Sequence, residues 1–391
     1  MSIAEIKGAK VTAKLWLPIH EVESGALDQI RNVASLPWTE GVAVMPDVHL
    51  GQGATIGTVL VTKDAVVPSV VGVDPGCGLL SVQTNLIRGS LPRKLGELRE
   101  AIEAAIPVGF MSHGETHDLA KKNHAHLLTD AMSGSPALAK IAAGTKFMQQ
   151  LGTMGGGNHY ASLDYDENGR VWMTLHSGSR NFGKCVAEYY INEAKRQGQI
   201  IPDRNLSSFA VGDKMCDDYL YAMKVCREYA QANREVMMEI ILRVLETHFG
   251  DIERRDTVSC VHNYIAVEEH GGEKRFITRK GAIRAQKDEV SIIPGAMGNG
   301  VSAYITRGKG NEEAFNSAPH GAGRAMSRGA AKRKFTLDDL RQTTDGLECR
   351  KDKSVLDEIQ GAYKSIEKVM EYASDLVTPE HELRALLCVK G

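Results

Sequence analysis

Glycine placement constrains this chain more than any other feature of its sequence. Of 391 residues 39 are glycine, and many of these fall into clusters. Glycine suits positions where the backbone bends sharply or approaches a ligand closely, because it has no Cβ. One cluster alone would indicate an ordinary turn, but most of these lie beside His, Asp or Cys: they span residues 51–57, 72–78, 152–157, 295–300 and 321–323. We therefore expect the loops between strands to carry a site.

Apolar periodicity between the clusters predicts the regular elements. Short apolar runs punctuated by Gly and Pro predict strands at residues 42–45, 58–62, 66–73, 79–84, 171–175, 258–267 and 275–278. Helical spacing of apolar residues predicts helices at residues 91–106, 218–249 (broken once) and 356–376, with methionines in the core. The polar stretch 111–136 is predicted to be a surface excursion that carries solvated histidines: His113, His117, His124 and His126.

No internal repeat or low-complexity linker divides the chain. The sequence therefore predicts a single compact domain over residues 1–391, of mixed α/β (α+β) class, with a β-sheet core flanked by helices.

Composition narrows the possible partners. The chain has 47 Lys and Arg against 49 Asp and Glu, a net charge of −2, so any nucleic-acid surface must be a local patch. No run of eighteen apolar residues occurs and the first ten residues lack a signal-peptide core, which predicts a cytoplasmic protein without membrane contact. Seven scattered cysteines without a C-x-x-C pair favour a reduced compartment over a disulfide framework.

Potential metal ligands accompany the glycine clusters. Asp74 and Cys77 flank a Pro-Gly turn that can aim a carboxylate and a thiolate at one point, which suits Mn, Zn or a similar ion. His159 follows a glycine loop, His176 follows a predicted strand, and His262 lies in the run Cys-Val-His-Asn at 260–263. A turn with a buried thiol and three structural histidines is the alternative. One zinc-like ion takes three or four ligands, so five candidates favour two ions that share one ligand, for which a bridging thiolate is suited.

His320 is followed by Gly, Ala and Gly, which leaves its imidazole sterically open. The residues alone permit three roles for it: a sixth ligand, a general base or a nucleophile. An imidazole that attacks a nucleoside triphosphate forms a phosphoramidate, a reasonable intermediate in covalent catalysis.

Two basic runs, at residues 274–287 and 324–334, contain no acidic residue. A solvated face is the simpler interpretation, and phosphate binding is the alternative. Arg180 and Arg324 lie within glycine motifs and Arg328 lies one helical turn further on, which favours phosphate binding for these three. Neither a P-loop nor a K-x-D-G motif occurs, so any nucleotide activation takes another route.

These motifs, taken in order, resemble the RtcB family of RNA-splicing and RNA-repair ligases. The resemblance runs from about Lys14 to the last residues. It is carried by MPDVHLG at 45–51, DPGCG at 74–78, GGGNH at 155–159, HSGSR at 176–180, HNY at 262–264, RKGA at 279–282, PGAMG at 294–298, HGAGR at 320–324 and CVKG at 388–391.

The resemblance implies a central metal-containing cleft with a division of labour. Two Mn ions would be bound by Asp74, Cys77, His159, His176 and His262, with Cys77 bridging. His320 would take GMP from GTP, and Asp47 would orient its imidazole. GTP would be bound by Asn158, Lys280, Pro294, Gly295, Ala296, Met297, Gly298, Gly321, Ala322, Gly323, Tyr363 and Lys390. RNA phosphates would be held by Arg180, Arg324 and Arg328.

The implied reaction joins RNA that ends in a 2′,3′-cyclic phosphate or a 3′-phosphate to RNA that begins with a 5′-hydroxyl, in tRNA splicing or RNA repair. The resemblance is also compatible with a protein partner that activates the enzyme. Two other functions share some of these residues: a dinuclear metal-dependent phosphoesterase would not need His320 as a nucleophile, and a non-catalytic RNA-binding protein would not need the full ligand set.

Three positions depart from the family pattern. Ser162 stands where a Glu is usual, Ala296 replaces a Ser, and Pro319 replaces a small polar residue. The first two fall where guanine is expected to be read. Two alternatives follow: ATP is rejected less strictly than in relatives, or another acid or the backbone has taken over the contact with the base.

We predict that Cys77→Ala abolishes nucleotidylation while the protein still folds. Loss of a bridging ligand disturbs both ions of a two-metal site. Label transfer from α-labelled GTP, together with elemental metal analysis, measures the effect. Full activity with a normal metal content would refute the bridging role.

Overall fold

The structure is a computed structural model that describes residues 1–391. Its strands are β1 (Ala4–Lys7), β2 (Thr12–Leu15), β3 (Thr39–His49), β4 (Ile56–Thr62), β5 (Ala65–Val66), β6 (Gly78–Ile87), β7 (Tyr160–Tyr165), β8 (Arg170–Ser177), β9 (Phe209–Ala210), β10 (Arg254–Val261), β11 (Asn263–His270), β12 (Glu273–Lys280), β13 (Ala282–Arg284), β14 (Val290–Pro294), β15 (Ala303–Gly308), β16 (Ser317–Pro319), β17 (Glu348–Cys349) and β18 (Val377–Lys390).

Ten α-helices surround the strands. They are α1 (Ser24–Ala34), α2 (Gly96–Ala105), α3 (Asp118–His124), α4 (His126–Ser133), α5 (Pro136–Gly144), α6 (Arg180–Arg196), α7 (Lys214–Phe249), α8 (Arg328–Lys334), α9 (Leu337–Thr343) and α10 (Ile366–Tyr372). None of them combines the length and the apolar character needed to cross a membrane. The predicted mixed α+β class is confirmed.

Two sheets form the centre of the molecule. The first has the order β1-β2-β3-β4-β12-β11, and the second has the order β10-β6-β8-β7-β18-β15-β14 with β17 beside β18. The largest apolar core packs α6 and α7 against the second sheet, with side chains such as Leu175, Phe182, Met237 and Ile241 fully buried. Met237 thus belongs to the core, as the apolar spacing predicted.

Several predicted elements differ in the structure. The strand predicted at 66–73 ends at Val66, because Pro68, which has no N–H to donate, begins a 3-10 turn. Residues 111–136, predicted as a polar surface excursion, contain the helices α3 and α4, and the imidazole of His117 caps α3 by accepting from the Leu119 N–H. The long helix α7 is unbroken over its 36 residues.

The late helix is also shorter than predicted. Residues 356–362 form two 3-10 turns, and α10 begins only where the Ser365 hydroxyl caps it by accepting from the Lys368 N–H.

The strand predicted at 258–267 is two strands that belong to different sheets. β10 is the edge strand of the second sheet, and β11 is the edge strand of the first. His262 is the single residue between them, so its side chain lies where the two sheets meet. The sequence pattern does not reveal this change of sheet, because both halves have the period of a strand.

Two buried polar residues of α7 hold the loops at this end of the second sheet. Asn233 accepts from the Gly152 and Thr153 N–H groups at 2.8 and 3.1 Å, and it donates to Thr153 O and Gly178 O. Arg234 donates to Gly76 O and Ser177 O, both at 2.9 Å. Three loops that are distant in sequence are therefore fixed to one helix.

We predict that Asn233→Ala lowers the free energy of unfolding by about 3 kcal/mol or more, because several buried backbone groups lose their partner. Asn192→Ala, at an exposed position of α6, is the matched control and should change it by no more than about 0.5 kcal/mol. Urea denaturation followed by circular dichroism measures both. Equal effects of the two changes would show that Asn233 does not fasten the loops.

Candidate active site

A cleft of about 440 Å³ lies between the two sheets. Its lining includes every residue proposed above for metal, nucleotide, RNA or catalysis except Asp47 and Arg180. Asp47 is fully buried behind His320, and Arg180 lies behind the glycine loop 155–157. Residues separated by more than 300 positions in the sequence thus meet in one place.

Strand order explains why the metal-ligand candidates meet. Strands β10, β6, β8 and β7 are neighbours in the second sheet, and their register aligns one set of ends. Four candidates lie at that edge: His262 follows β10, Cys77 precedes β6, His176 lies near the end of β8, and His159 precedes β7. Antiparallel pairing therefore places four donor side chains along one line.

Contacts between these donors form a chain with Cys77 at its middle. Its Sγ lies 3.3 Å from His159 Nε2 and 3.4 Å from His176 Nε2. Beyond His159, Asp74 Oδ2 lies 3.3 Å from the same Nε2, and beyond His176, His262 Nε2 lies 3.0 Å from the His176 Nε2. Cys77, His159 and His176 are buried and close enough together to hold a metal ion.

Protonation states at this edge suit a cation. The Nδ1 of His159 lies 3.1 Å from Met154 O, to which it can only donate, so its Nε2 is the ring nitrogen that faces Asp74 and Cys77. Burial, followed by the charge of neighbouring imidazoles, lowers the pKa of His176 and His262 well below the ordinary value, which keeps both rings neutral at pH 7. Their two Nε2 atoms are held together either by a shared proton or by a shared cation.

The Cys77 thiol, unlike the His176 and His262 imidazoles, favours its protonated form. Burial and then the charge of Asp74 raise its pKa well above the ordinary value. A bound cation would reverse this preference, because metal binding favours the thiolate. The donor set therefore fits a metal ion better than it fits a structural role.

Asp74 is held in place by Ser179 and by the absence of a side chain at Gly178. The N–H and the hydroxyl of Ser179 both donate to Asp74 Oδ1 at 2.8 Å, which leaves Oδ2 facing His159. A Cβ at Gly178 would overlap the Asp74 carboxylate, so no other residue fits there without displacing it. Burial would raise the pKa of Asp74, but the hydrogen bond and charge of His159 and the bonds from Ser179 hold it below its ordinary value.

His320 comes from the other side of the cleft, directly after β16. Its Nδ1 lies 2.6 Å from Asp47 Oδ2, which also accepts from the backbone N–H groups of His320 and Gly321 at 3.0 and 3.3 Å. Three donors on one carboxylate oxygen fix the ring and place the Nδ1 proton toward Asp47. The Nε2 atom is then left with its lone pair, and the ring centroid lies 4.7 Å from that of His262.

An acidic residue that the sequence did not single out organises the opposite wall. Glu358 is buried and accepts from Lys390 Nζ at 2.6 Å and from the Tyr363 hydroxyl at 2.5 Å. Arg324 Nη1 lies 3.3 Å away and Arg328 also pairs with it. Burial would raise the pKa of Glu358, but the charges of Lys390 and Arg328 outweigh it and lower that pKa to about 2.

Two of the predicted contact residues, Lys280 and Arg180, form their hydrogen bonds within the protein. The three N–H bonds of Lys280 point to Gln52 O, Ala54 O and Ser69 O at 2.8 to 3.0 Å, so they are not available to a nucleotide while this loop keeps its conformation. Arg180 donates to the Thr153 hydroxyl and to Gly109 O, behind the glycine loop.

The basic run 274–287 is largely paired as well. Arg279 is fully buried against Glu268, and Arg275 and Arg284 pair with Glu40 and Glu289. This run is therefore part of the protein framework more than a phosphate-binding surface.

Comparison with known proteins gives one consistent family. A sequence model described as "tRNA-splicing ligase RtcB" matches residues 29–391. The RNA-splicing ligase RtcB of Escherichia coli strain K12 is 40% identical over 402 residues, which cover 97% of this chain and 97% of that protein. The tRNA-splicing ligases RtcB of Methanococcus maripaludis and Pyrobaculum aerophilum are 29% and 27% identical, over 92% and 89% of this chain and 89% and 87% of those proteins.

We predict that Gly178→Ala weakens Mn²⁺ binding about 10- to 100-fold, because the added methyl group displaces the Asp74 carboxylate. Gly96→Ala is the matched control, since a Cβ there meets no atom within 4 Å. Calorimetric titration with Mn²⁺ compares the two variants with the wild type. Equal affinity of all three proteins for Mn²⁺ would show that Asp74 is not a metal ligand.

Proposed function

The chain belongs to the RtcB family of RNA ligases, and we propose that it joins RNA 3′-phosphate or 2′,3′-cyclic phosphate ends to 5′-hydroxyl ends, with GTP and Mn²⁺. RNA ligation follows from the family. The nucleotide, the metal and the chemistry of the RNA ends are our proposal, as is the assignment of residues 1–391 to one catalytic domain.

The observation that carries this proposal is the environment of His320. Its Nδ1 is engaged by a fully buried carboxylate, and its Nε2 is the remaining nucleophilic atom of the ring. A metal-dependent hydrolase would use such an imidazole as a ligand or a general base, and its attack on phosphorus would come from metal-bound water. An enzyme that forms a nucleotidyl-histidine needs this tautomer, because Nε2 must present its lone pair to phosphorus.

Five donors would hold the metal ions. Asp74, Cys77 and His159 would hold one Mn²⁺, and Cys77, His176 and His262 would hold the other, since the chain of contacts divides at Cys77. Bound there, the ions would neutralise phosphate charge and align the reacting groups.

The first step transfers a nucleotide to the protein. His320 Nε2 attacks the α-phosphorus of GTP, a P–N bond forms, the bond between the α-phosphorus and the bridging oxygen breaks, and pyrophosphate leaves. The imidazole becomes positively charged as the bond forms, and Asp47 stabilises that charge through the Nδ1 proton, which remains on the ring.

The later steps consume RNA ends. Water first opens a 2′,3′-cyclic phosphate to a 3′-phosphate. An oxygen of this phosphate then attacks the phosphorus on His320, the P–N bond breaks, and the GMP moiety moves to the RNA end. The 5′-hydroxyl finally attacks the 3′-phosphorus, loses its proton, and displaces GMP as the phosphodiester forms.

The remaining lining residues divide between nucleotide and RNA. Asn158 is exposed and faces the cleft, where its amide can bind phosphate, and Tyr363 and Lys390 lie beside the site proposed for the base. Arg324 and Arg328 line the cleft and are proposed to bind RNA phosphates in exchange for part of their pairing with Glu358. Arg180 is proposed to act indirectly, by holding the glycine loop through Thr153 and Gly109.

We predict that His320→Ala eliminates label transfer from α-labelled GTP to the protein, while RNA whose 3′-phosphate already carries GMP is still sealed. The first result follows from loss of the nucleophile, and the second from the fact that sealing no longer needs it. His126→Ala, at an exposed position on α4, should label like the wild type.

Acid treatment provides a further check, because a phosphoramidate is labile to acid. Label that persists on the His320 variant, or that survives acid on the wild type, would contradict the proposed intermediate. Phosphate release from simple esters without any protein label would instead indicate a dinuclear phosphoesterase.

A further inference from the structure

Three side chains beside the cleft form a hydrogen-bonded unit that none of the proposed reaction steps uses. Ser162 and Ser302 line the cleft, and Asp164 lies behind them with no exposed surface. The Ser162 hydroxyl donates to Asp164 Oδ2 at 2.6 Å, and the Ser302 hydroxyl donates to Asp164 Oδ1 at 2.7 Å. Both oxygens of one carboxylate are thus each paired with a serine.

The backbone fixes this arrangement. Ser162 and Asp164 are two residues apart on β7, so their side chains point to the same face of the sheet. Ser302 comes directly before β15, and its carbonyl accepts from the Gly295 N–H at 2.8 Å, within the glycine segment proposed above for the nucleotide base. The unit therefore joins β7 to the segment 294–298 that flanks the base.

The direction of these hydrogen bonds determines what the serines offer to a ligand. A serine hydroxyl has one proton and two lone pairs. An ionised carboxylate can only accept, so both serine protons point toward Asp164 and both hydroxyl oxygens present only lone pairs to the cleft. Burial raises the pKa of Asp164, and the hydroxyl groups of Ser162, Ser302 and Thr174 act against that increase.

A pair of acceptors matches guanine and mismatches adenine. The edge of guanine presents two donors side by side, the N1–H and the 2-amino group, whereas adenine presents a lone pair at N1. A site built to hydrogen-bond a ligand rejects an analogue that leaves its groups unpaired by about 10⁴-fold, and shape alone gives roughly 10- to 100-fold.

We propose that Asp164 is a positioning residue that turns Ser162 and Ser302 into a pair of hydrogen-bond acceptors selecting guanine as the base of the nucleotide donor. This inference rests on the proposed nucleotidyl transfer to His320. Of the two alternatives raised by Ser162, it favours the one in which another acid has taken over the contact with the base. That acid is Asp164, which lies behind the two serines and acts through their hydroxyl groups.

Asp164→Asn tests the direction of the hydrogen bonds. An asparagine amide accepts from one serine but donates to the other, which must then point its proton into the cleft. Wild-type protein should prefer GMP over AMP by roughly 10³-fold or more, and the variant by less than about 100-fold, with IMP, which lacks the 2-amino group, between GMP and AMP on the wild type. Calorimetric titration with GMP, IMP and AMP measures binding without turnover.

Asp166→Asn is the matched control, because Asp166 is equally buried on the same stretch of chain but bonds to Trp172 and to backbone N–H groups. It should keep the wild-type ratio of GMP to AMP affinity. An unchanged ratio in Asp164→Asn, or an equal loss in both variants, would overturn the inference.

Ser162→Glu separates the two alternatives. If no acid contacts the base in the wild type, this change should raise the ratio of GTP to ATP labelling of His320. If Asp164 serves the base, the change places a second carboxylate against the first, and GTP labelling should fall by about 10-fold or more. Ser162→Glu combined with Asp164→Asn restores a single carboxylate and should recover GTP labelling; improvement by Ser162→Glu alone would overturn the inference.

Failure of the two proposals can be told apart. If the wild-type protein takes label from neither GTP nor ATP, the proposed nucleotidyl-histidine is refuted. The calorimetric comparison of GMP with AMP then still tests the base contact. If the wild-type protein takes label from GTP but binds GMP and AMP with equal affinity, only the proposed base contact is refuted.

Discussion

The convergence of His159 and His176 on the Cys77 sulfur is the constraint on which the rest of this structure depends. A buried thiol between two imidazoles, with a carboxylate beside them, is costly to assemble unless a cation compensates for it. The fold meets this requirement by ending four adjacent strands of one sheet at the same edge. The polar groups of α7 then fix the loops that carry the donors, so the geometry does not depend on the loops alone.

The proposed catalytic arrangement uses residues from both sheets. The second sheet carries the metal-ligand candidates, whereas Asp47 lies on β3 of the first sheet and His320 lies next to it at the end of β16. His262, at the junction of β10 and β11, lies against both the donor cluster and His320. A shift between the two sheets would therefore change the distance from His320, the proposed nucleophile, to the proposed metal site.

Much of the site could be predicted from the sequence because its residues occur in glycine-rich loops, where an isolated His, Asp or Cys is conspicuous. The residues that escaped prediction lie inside regular elements. Asn233 is one polar residue in a long helix, Asp164 is one acid on a strand, and Glu358 lies in a 3-10 turn. Nothing in their local pattern shows that they are buried, because burial of a polar group depends on partners that are distant in the sequence.

The metal site is the central claim, and diffraction from crystals grown with Mn²⁺ and GTP tests it most directly. Data collected at the Mn absorption edge should show two anomalous peaks. One should contact Asp74, Cys77 and His159, the other should contact Cys77, His176 and His262, and electron density for GMP should be continuous with His320 Nε2. A single peak, or two peaks that do not share the Cys77 sulfur, would contradict the account.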